Sequence, residues 1–171
     1  SEMCIRDRNS VGAFLQKELG VKKGDKVAIA MRNFPEYPIL LMGIVSIGAI
    51  VVFVNAWWTT SEMEYGFNDS AAKICFADKE RLNVILPFSN DHGVKLIGIR
   101  SEHGKNVVDY EKDVASYPSK NLRVPNIDPK DDFGIMYTSG STGNPKGVVL
   151  THRGAISAVF SWLMMEKIGS H

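Results

Sequence analysis

The chain has 171 residues, of which 44% are hydrophobic and 23% charged, and its formal net charge at pH 7 is +1. These values are ordinary for a globular domain, and a charge so close to zero gives no electrostatic basis for binding nucleic acid or an anionic membrane. Two cysteines do not make a disulfide framework, so we expect a reducing, cytoplasmic environment. The four histidines lack the spacing of zinc ligands, and we predict no metal site.

Residues 1–8 show no apolar period, and we predict a non-native or disordered terminus there. Ser10 is then the expected N-cap of the first helix, and Gly20 is placed to end it. The apolar stretch at residues 39–54 contains one polar residue, Ser46, and is shorter than the roughly 20 residues that a membrane-spanning helix needs. We therefore predict a buried helix followed by a buried strand, and no transmembrane segment.

Continuous apolar runs alternate with helical patterns through the first hundred residues. The runs occupy residues 27–31, 49–54, 73–77 and 95–99, and the helical patterns occupy residues 33–47, the segment that starts at Ser61, and residues 79–86. Continuous apolar runs are typical of strands buried on both faces. The alternation therefore predicts an α/β fold, in which a parallel sheet carries helices on both faces.

The segment 100–132 is polar and contains three prolines. We interpret it as an excursion over the surface, with one short helix near residues 109–116. A strand at residues 148–151 and a helix at residues 153–167 follow. The helix has an apolar stripe that we predict to lie in the core, made of Ile156, Val159, Phe160, Leu163 and Met164.

The strongest functional signal lies in residues 137–147. In order, they are Tyr137, Thr138, Ser139, Gly140, Ser141, Thr142, Gly143, Asn144, Pro145, Lys146 and Gly147. The three glycines are expected to allow positive φ and close approach of backbone N–H groups, and successive N–H groups form an anion-binding concavity. Hydroxyl groups add donors and the lysine adds a positive charge, so the predicted ligand is a polyphosphate.

Three known phosphate loops do not fit this segment. In a P-loop NTPase, glycine precedes the lysine and a helix begins there, whereas Pro145 precedes Lys146 and a strand is predicted to follow. The glycine spacing does not match the dinucleotide-binding fingerprint, which also leads into a helix. A protein-kinase loop would be followed by a strand with a lysine, and residues 148–151 contain none.

Residues 137–148 resemble the phosphate-binding signature of the adenylate-forming enzymes, which include acyl-CoA synthetases, luciferases and peptide-synthetase adenylation domains. Upstream stretches resemble the same family's N-terminal pattern in the same order, at residues 24–29, 33–37 and 48–52, at Asn55, and at Asp69, Ser70, Ala72 and Lys73. The resemblance extends over residues 11–165. The pair Trp57 and Trp58 is most similar to the fatty-acyl-CoA ligase branch.

The resemblance implies that residues 9–171 form an incomplete N-terminal AMP-binding domain. It implies a ligase that uses ATP, Mg²⁺ and coenzyme A as co-substrate to activate a small carboxylic acid, of the fatty-acid class, as an acyl-adenylate and then transfer it to the thiol. The residues that it implies for ATP phosphate binding are Thr138, Ser139, Gly140, Ser141, Thr142, Gly143 and Lys146.

The family's adenine, ribose and magnesium motifs and its catalytic lysine are not found in this sequence. We therefore predict no catalytic residue within the chain and no turnover by the chain alone. Two alternatives stay open, a non-catalytic truncated nucleotide-binding module and an adenylation domain with another acceptor. Outside the loop, we interpret Trp57 and Trp58 as packing over the sheet end, and His152 as a helix-start residue.

Overall fold

A computed structural model of the chain describes residues 2–102, 106–138 and 144–168, without the side chains of residues 3, 121 and 166–168. The strands of the described ranges are β1 (Lys26–Ala30), β2 (Ile50–Phe53), β3 (Ile74–Asp78), β4 (Lys95–Ile99), β5 (Val107–Asp109), β6 (Asp132–Thr138) and β7 (Lys146–Thr151). The α-helices are α1 (Glu2–Lys17), α2 (Glu36–Ser46), α3 (Thr60–Ser70), α4 (Lys79–Ser89) and α5 (His152–Ile168). A π-helical turn covers Tyr110–Val114, and a 3₁₀ turn covers Ser119–Asn121.

The strands of the described ranges form one seven-stranded sheet in the order β5-β4-β3-β1-β2-β6-β7. All neighbouring pairs are parallel except β6 and β7, which form an antiparallel hairpin at one edge. The α/β prediction is therefore confirmed. The antiparallel edge strand was not part of it, and such a strand is common on an otherwise parallel sheet.

Helices cover both faces of the sheet, as predicted. Successive strand residues point to opposite faces. On one face, Val27 and Ile29 of β1 pack with residues of α1 and α2, and on the other, Ala28 and Ala30 pack with residues of α3 and α4. The resulting two apolar layers bury both sides of the central strands, which is why those strands are continuous apolar runs in the sequence.

The first helix begins at Glu2, so the prediction that Ser10 is its N-cap is wrong. Ser10 is buried in the middle of α1, and its Oγ donates a hydrogen bond to the carbonyl of Arg6 at 3.2 Å. Residues 2–8, for which the sequence predicted a non-native or disordered terminus, are helical. Adding residues to an existing helix costs far less than nucleating one, which explains how an unpatterned segment can extend it. The non-native origin of the segment stays a prediction.

Two further helix boundaries differ from their predictions. Helix α3 was predicted to start at Ser61, from the capping-box spacing of Ser61 and Glu64, but its capping box joins Thr59 and Glu62. The Thr59 N–H donates to Glu62 Oε2 at 2.8 Å, and the Glu62 N–H donates to Thr59 Oγ1 at 3.4 Å. Both pairs have the required spacing, and the extended backbone of Thr59 selects the first. Helix α4 continues to Ser89, beyond its predicted end, and includes Pro87 in its last turn.

Strand β5 was missed within the segment interpreted as a surface excursion. It pairs in parallel with β4, with Val107 opposite Leu96 and Val108 opposite Ile97. Three residues are too few to show a period of two, so only the tertiary pairing defines this strand. The predicted short helix near residues 109–116 is present as the π-helical turn.

The apolar stripe of α5 is exposed, so the prediction that it lies in the core is wrong. We use the name α5–β7 face for all the exposed large apolar residues of β7 and α5 together, on whichever side of the strand or helix they point: Val148, Val149, Ile156, Val159, Phe160, Trp162, Leu163, Met164 and Met165. Helix α5 contacts β6 and β7 while leaving this stripe open to solvent. Periodicity shows that a helix has an apolar face, but it does not show that a neighbour covers that face.

No helix in the described part of the chain has the length and hydrophobicity needed to cross a membrane.

We expect the 171-residue chain to self-associate through the α5–β7 face, because large exposed apolar patches promote association. Burying one large apolar side chain contributes about 1.5–3 kcal/mol. Each of Val149→Lys and Phe160→Glu should therefore raise the concentration at which association occurs by about tenfold or more. Sedimentation velocity over a range of concentrations measures this shift.

The matched control for this prediction is Val124→Lys, which alters an exposed apolar residue outside the α5–β7 face. It should leave the association unchanged. A wild-type chain that stays monomeric at high concentration and unfolds cooperatively would contradict the prediction.

Candidate functional site

The predicted phosphate-binding residues lie where β6 ends and β7 begins. The carboxyl ends of parallel strands meet at one edge of a sheet, and ligands of α/β proteins bind outside that edge. Thr138 is the last residue of β6 and Lys146 the first residue of β7. Ser139, Gly140, Ser141, Thr142 and Gly143 lie outside the described residues. Their predicted role in phosphate binding stays a prediction.

Thr138 and Lys146 face each other at the base of this hairpin. They are register partners, and the Thr138 hydroxyl donates to the Lys146 carbonyl at 3.5 Å, the long limit of a hydrogen bond. Both residues are exposed. A threonine and a lysine are therefore paired at the carboxyl edge of the sheet, and both are exposed to a ligand. Because a strand begins at Lys146, the helix that follows a P-loop lysine does not form there.

Tyr137, the residue before Thr138, is anchored to α3. Its hydroxyl donates to Asp69 Oδ2 at 2.7 Å and lies 3.1 Å from the carbonyl of Gly66. Its ring packs edge-on against Trp58, with ring centroids 5.2 Å apart. Burial, the hydrogen bond to Asp69 and the charge of that carboxylate all raise the pKa of Tyr137. Tyr137 therefore remains protonated, and a hydrogen-bond donor, throughout the neutral range.

Two glycines make room for these aromatic rings. A Cβ atom on Gly66 would lie 2.6 Å from the Trp58 ring, and a Cβ on Gly147 would lie 3.4 Å from the Tyr137 ring and 3.0 Å from Ile135. Gly147 does not use the positive φ that glycine allows, because it is extended within β7. Close approach of side chains, and not backbone conformation, disfavours a larger residue at position 147.

Asp69 and Ser70 belong to one of the upstream stretches that carry the family resemblance, and the sequence assigned them no role. They are the last two residues of α3 and lie at this site. Ser70 Oγ donates to the carbonyl of Gly66 at 2.6 Å, and Ala71 takes the left-handed conformation with φ of 55°. Asp69 is thereby placed beside Tyr137. Both residues belong to matched motifs, but a single sequence gives no signal that residues 68 positions apart are in contact.

A buried ion pair lies at the same edge of the sheet. Asp78, the last residue of β3, accepts hydrogen bonds from the side chain of Arg81 at 3.2 Å and from its backbone N–H at 3.0 Å. Both side chains are 5% exposed. The Asp78 carboxylate also accepts from the N–H of Arg32 at 3.0 Å, and Arg81 Nε donates to the carbonyl of Ala56 at 2.9 Å. The pair therefore joins the loops that follow β1 and β2 to the start of α4.

The two tryptophans differ in their packing. Trp58 is half-buried against Tyr137, as expected for a residue that packs over the sheet end. Trp57 is 74% exposed and lies between two guanidinium groups, those of Arg32 at 5.0 Å and Arg81 at 5.6 Å from its ring. These are cation–π distances, and Trp57 is therefore held by charge rather than by burial.

His152 lies at the opposite end of the hairpin from Thr138. It is the first residue of α5, and its backbone N–H donates to the carbonyl of Asp131 at 3.1 Å. Its ring packs edge-on against Phe133, and within the described residues its Nε2 is buried without a hydrogen-bond partner. A hydrogen bond from Lys23 holds the pKa of Asp131 below its usual range. The helix-start interpretation of His152 is confirmed.

The described residues bring together no group of three or more His, Cys, Asp or Glu side chains that could hold a metal ion. At the hairpin, the ammonium group of Lys146 suits phosphate oxygens.

Comparison with known proteins identifies relatives along almost the whole chain. The AMP-binding enzyme family matches residues 6–170. The 4-coumarate–CoA ligase of Vanilla planifolia is 31% identical over 158 residues, which cover 87% of this chain and 27% of that protein. The long-chain-fatty-acid–CoA ligase of Escherichia coli O157:H7 is 33% identical over 171 residues, which cover 85% of this chain and 30% of that protein.

A solved structure has the same fold. The fatty acyl CoA synthetase of Mycobacterium tuberculosis superposes with a TM-score of 0.77 at 29% identity, covering 92% of this chain and 30% of that one. The chain thus spans less than a third of the length of each of these relatives.

Proposed function

The chain belongs to the AMP-binding enzyme family, and on this premise we propose that it is the phosphate-binding part of an ATP-dependent carboxylate–CoA ligase. The observation that supports this most directly is the meeting of Thr138 and Lys146 at the carboxyl edge of the sheet. The relatives with matching sequence are CoA ligases by name.

In the proposed reaction, a carboxylate oxygen attacks the α-phosphorus of ATP and the bond to pyrophosphate breaks. The thiolate of coenzyme A then attacks the acyl carbon, and AMP leaves. The role of this chain is to hold the β- and γ-phosphates, through the Lys146 ammonium and the Thr138 hydroxyl. Pre-placed donors of this kind stabilise the charge that develops on the leaving pyrophosphate.

We extend this role to the hydroxyl groups of Ser139, Ser141 and Thr142 and to the backbone amides of Gly140 and Gly143. Mg²⁺ enters with ATP in this chemistry. We assign none of its protein ligands to the described residues, because they bring together no metal-binding cluster.

We propose a long-chain fatty acid as the substrate. The resemblance of Trp57 and Trp58 to the fatty-acyl branch supports this choice, as do relatives named for long-chain and fatty acyl substrates. Because another relative is named for 4-coumarate, an aromatic acid is the competing candidate for the substrate. We propose a cytoplasmic location, where ATP and coenzyme A are both available and where the thiols of Cys4 and Cys75, which form no disulfide, stay reduced.

The test is ATP–pyrophosphate exchange by a full-length protein that contains this chain, with a long-chain fatty acid, 4-coumarate and acetate supplied in turn. We expect the fatty acid to give at least about a tenfold higher kcat/KM than 4-coumarate, since one or two matched apolar contacts already produce such a ratio. Addition of coenzyme A should release AMP and form the acyl thioester. The 171-residue chain alone should show no exchange.

Other outcomes of this experiment are equally informative. Exchange without acyl-CoA formation would indicate a different acceptor. No exchange with any carboxylic acid would leave only a non-catalytic nucleotide-binding module, and would contradict the proposed ligase.

A further inference from the structure

We propose that Asp69 and Tyr137 are positioning residues for ATP, whose hydrogen bond fixes the carboxyl end of β6 against α3 and thereby holds Thr138 and Lys146 in place. This inference rests on the proposed function, because it concerns the geometry of the same phosphate site.

The hairpin projects beyond the parallel part of the sheet. Strand β2 pairs with β6 only at Gly134, Ile135 and Met136. Tyr137 and Thr138 pair on their other side with β7, which is itself an edge strand. Backbone hydrogen bonds to the rest of the sheet therefore stop before the two predicted phosphate-binding residues. Some other contact has to hold this end of β6.

The Tyr137 side chain makes that contact. Its hydroxyl reaches Asp69 on α3 at 2.7 Å, and this bond joins elements that are 68 residues apart in the chain. A hydrogen bond to a carboxylate is charge-assisted and stronger than one between neutral groups. Since Tyr137 directly precedes Thr138, anchoring the Tyr137 side chain restrains the backbone at Thr138 and, through the pairing of the two strands, at Lys146.

The packing of the Tyr137 ring and the hydrogen bond of its hydroxyl can be tested separately. Trp58 contacts one side of the Tyr137 ring, and Gly147 leaves space on the neighbouring strand. Phenylalanine at position 137 would keep these contacts and lose only the hydroxyl. Tyr137→Phe therefore tests the bond itself, with little change to the apolar packing.

The experiment measures MgATP binding by calorimetry to a full-length protein that contains this chain, together with the denaturant midpoint of every variant. We expect Tyr137→Phe to weaken binding about tenfold, the effect of losing one hydrogen bond to a charged group. Asp69→Ala should weaken binding similarly. Asp69→Asn keeps an acceptor oxygen and should restore most of the affinity, which a general loss of stability would not do.

The matched control is Tyr117→Phe. Tyr117 is also half-buried, and its hydroxyl also donates to a carboxylate, that of Glu18 at 2.6 Å, but it lies in the segment between β5 and β6 and contacts α1. Removing this bond should leave MgATP binding unchanged. A spectroscopic readout is independent of binding: Asp69→Asn should lower the pKa of Tyr137, because it removes a negative charge that disfavours the phenolate.

Lys146→Ala separates the inference from the proposed function. If the full-length protein does not bind MgATP, or if its Lys146→Ala variant binds MgATP equally well, the proposed phosphate site is wrong and the inference fails with it. If Lys146→Ala weakens binding while Tyr137→Phe and Asp69→Ala do not, only the inference is overturned. The inference is also overturned if Asp69→Asn binds MgATP no better than Asp69→Ala and the loss of affinity among the variants is proportional to the loss of denaturant midpoint.

Discussion

Asp78→Ala is expected to lower the free energy of unfolding by about 3–5 kcal/mol, because it leaves the buried guanidinium of Arg81 without its main charge partner. The side chains of both residues are 5% exposed, so water cannot replace the lost carboxylate. Native domains are stable by only about 5–15 kcal/mol, and a loss of this size removes a large part of that.

The Asp78 carboxylate has three structural roles. It pairs with Arg81, it caps the first turn of α4 through the Arg81 N–H, and it accepts the N–H of Arg32 after β1. Arg81 in turn donates to the carbonyl of Ala56 after β2. Replacing Asp78 therefore removes a direct partner from the loop after β1 and from the first turn of α4, and it removes the charge that holds Arg81 beside the loop after β2.

Denaturant unfolding followed by circular dichroism measures the effect. Asp78→Asn keeps an oxygen for the helix cap and should cost less than Asp78→Ala, which provides a graded result even if the alanine variant fails to fold. The control is Glu80→Ala, which removes the exposed partner of Arg81 and should cost less than about 1 kcal/mol. If Asp78→Ala itself lowered the free energy of unfolding by less than about 1 kcal/mol, the ion pair would not be an important contribution to stability.

The parallel core could be predicted from the sequence because its signal is local. In β4, for example, every residue after the exposed Lys95 is apolar and buried, and the strand was predicted with its observed bounds, residues 95–99. The boundaries that failed depend on contacts outside the local window. Ser10 has the chemistry of an N-cap but lies inside α1, and β5 exists only because β4 offers it an edge. The order of the strands was likewise beyond a single sequence.

The site, like the fold, was predictable where the signal is local and not where it depends on distant contacts. The glycine-rich segment was found by its composition and by resemblance, and Thr138 and Lys146 lie together because the two strands pair in register. The contact of Tyr137 with Asp69 could not be predicted, since residues 68 positions apart share no local pattern. The exposure of Phe160 on α5 shows a third limit, because an apolar stripe does not identify what covers it.

Lys146→Ala is expected to slow ATP–pyrophosphate exchange in the full-length protein by about 10²–10³-fold, the usual effect of removing one group aimed at charge that develops in a transition state. Lys146 is exposed at the base of the β6–β7 hairpin, opposite Thr138, so its ammonium group is free to reach a bound ligand. The charge on the leaving pyrophosphate increases as the acyl-adenylate forms, and a fixed cation stabilises it more in the transition state than in bound ATP.

Two further variants show whether charge or shape is responsible. Lys146→Arg keeps the positive charge but replaces a compact ammonium with a planar guanidinium, and should retain about a tenth or more of the wild-type rate. The control is Lys112→Ala, since Lys112 is an exposed lysine paired with Asp109 far along the chain from the hairpin. It should exchange at the wild-type rate. Normal exchange by Lys146→Ala would exclude the phosphate role.

The division of the Lys146→Ala effect between kcat and KM decides what the lysine does. If Lys146 only binds ATP, its removal raises KM for ATP and leaves kcat unchanged, because ground state and transition state lose the same interaction. If it stabilises the leaving pyrophosphate, kcat and kcat/KM fall together while KM changes little. We expect the second result, because the family chemistry separates charge at the bond between the α- and β-phosphates. A change in KM alone would make Lys146 a substrate-binding residue with no part in the chemical step.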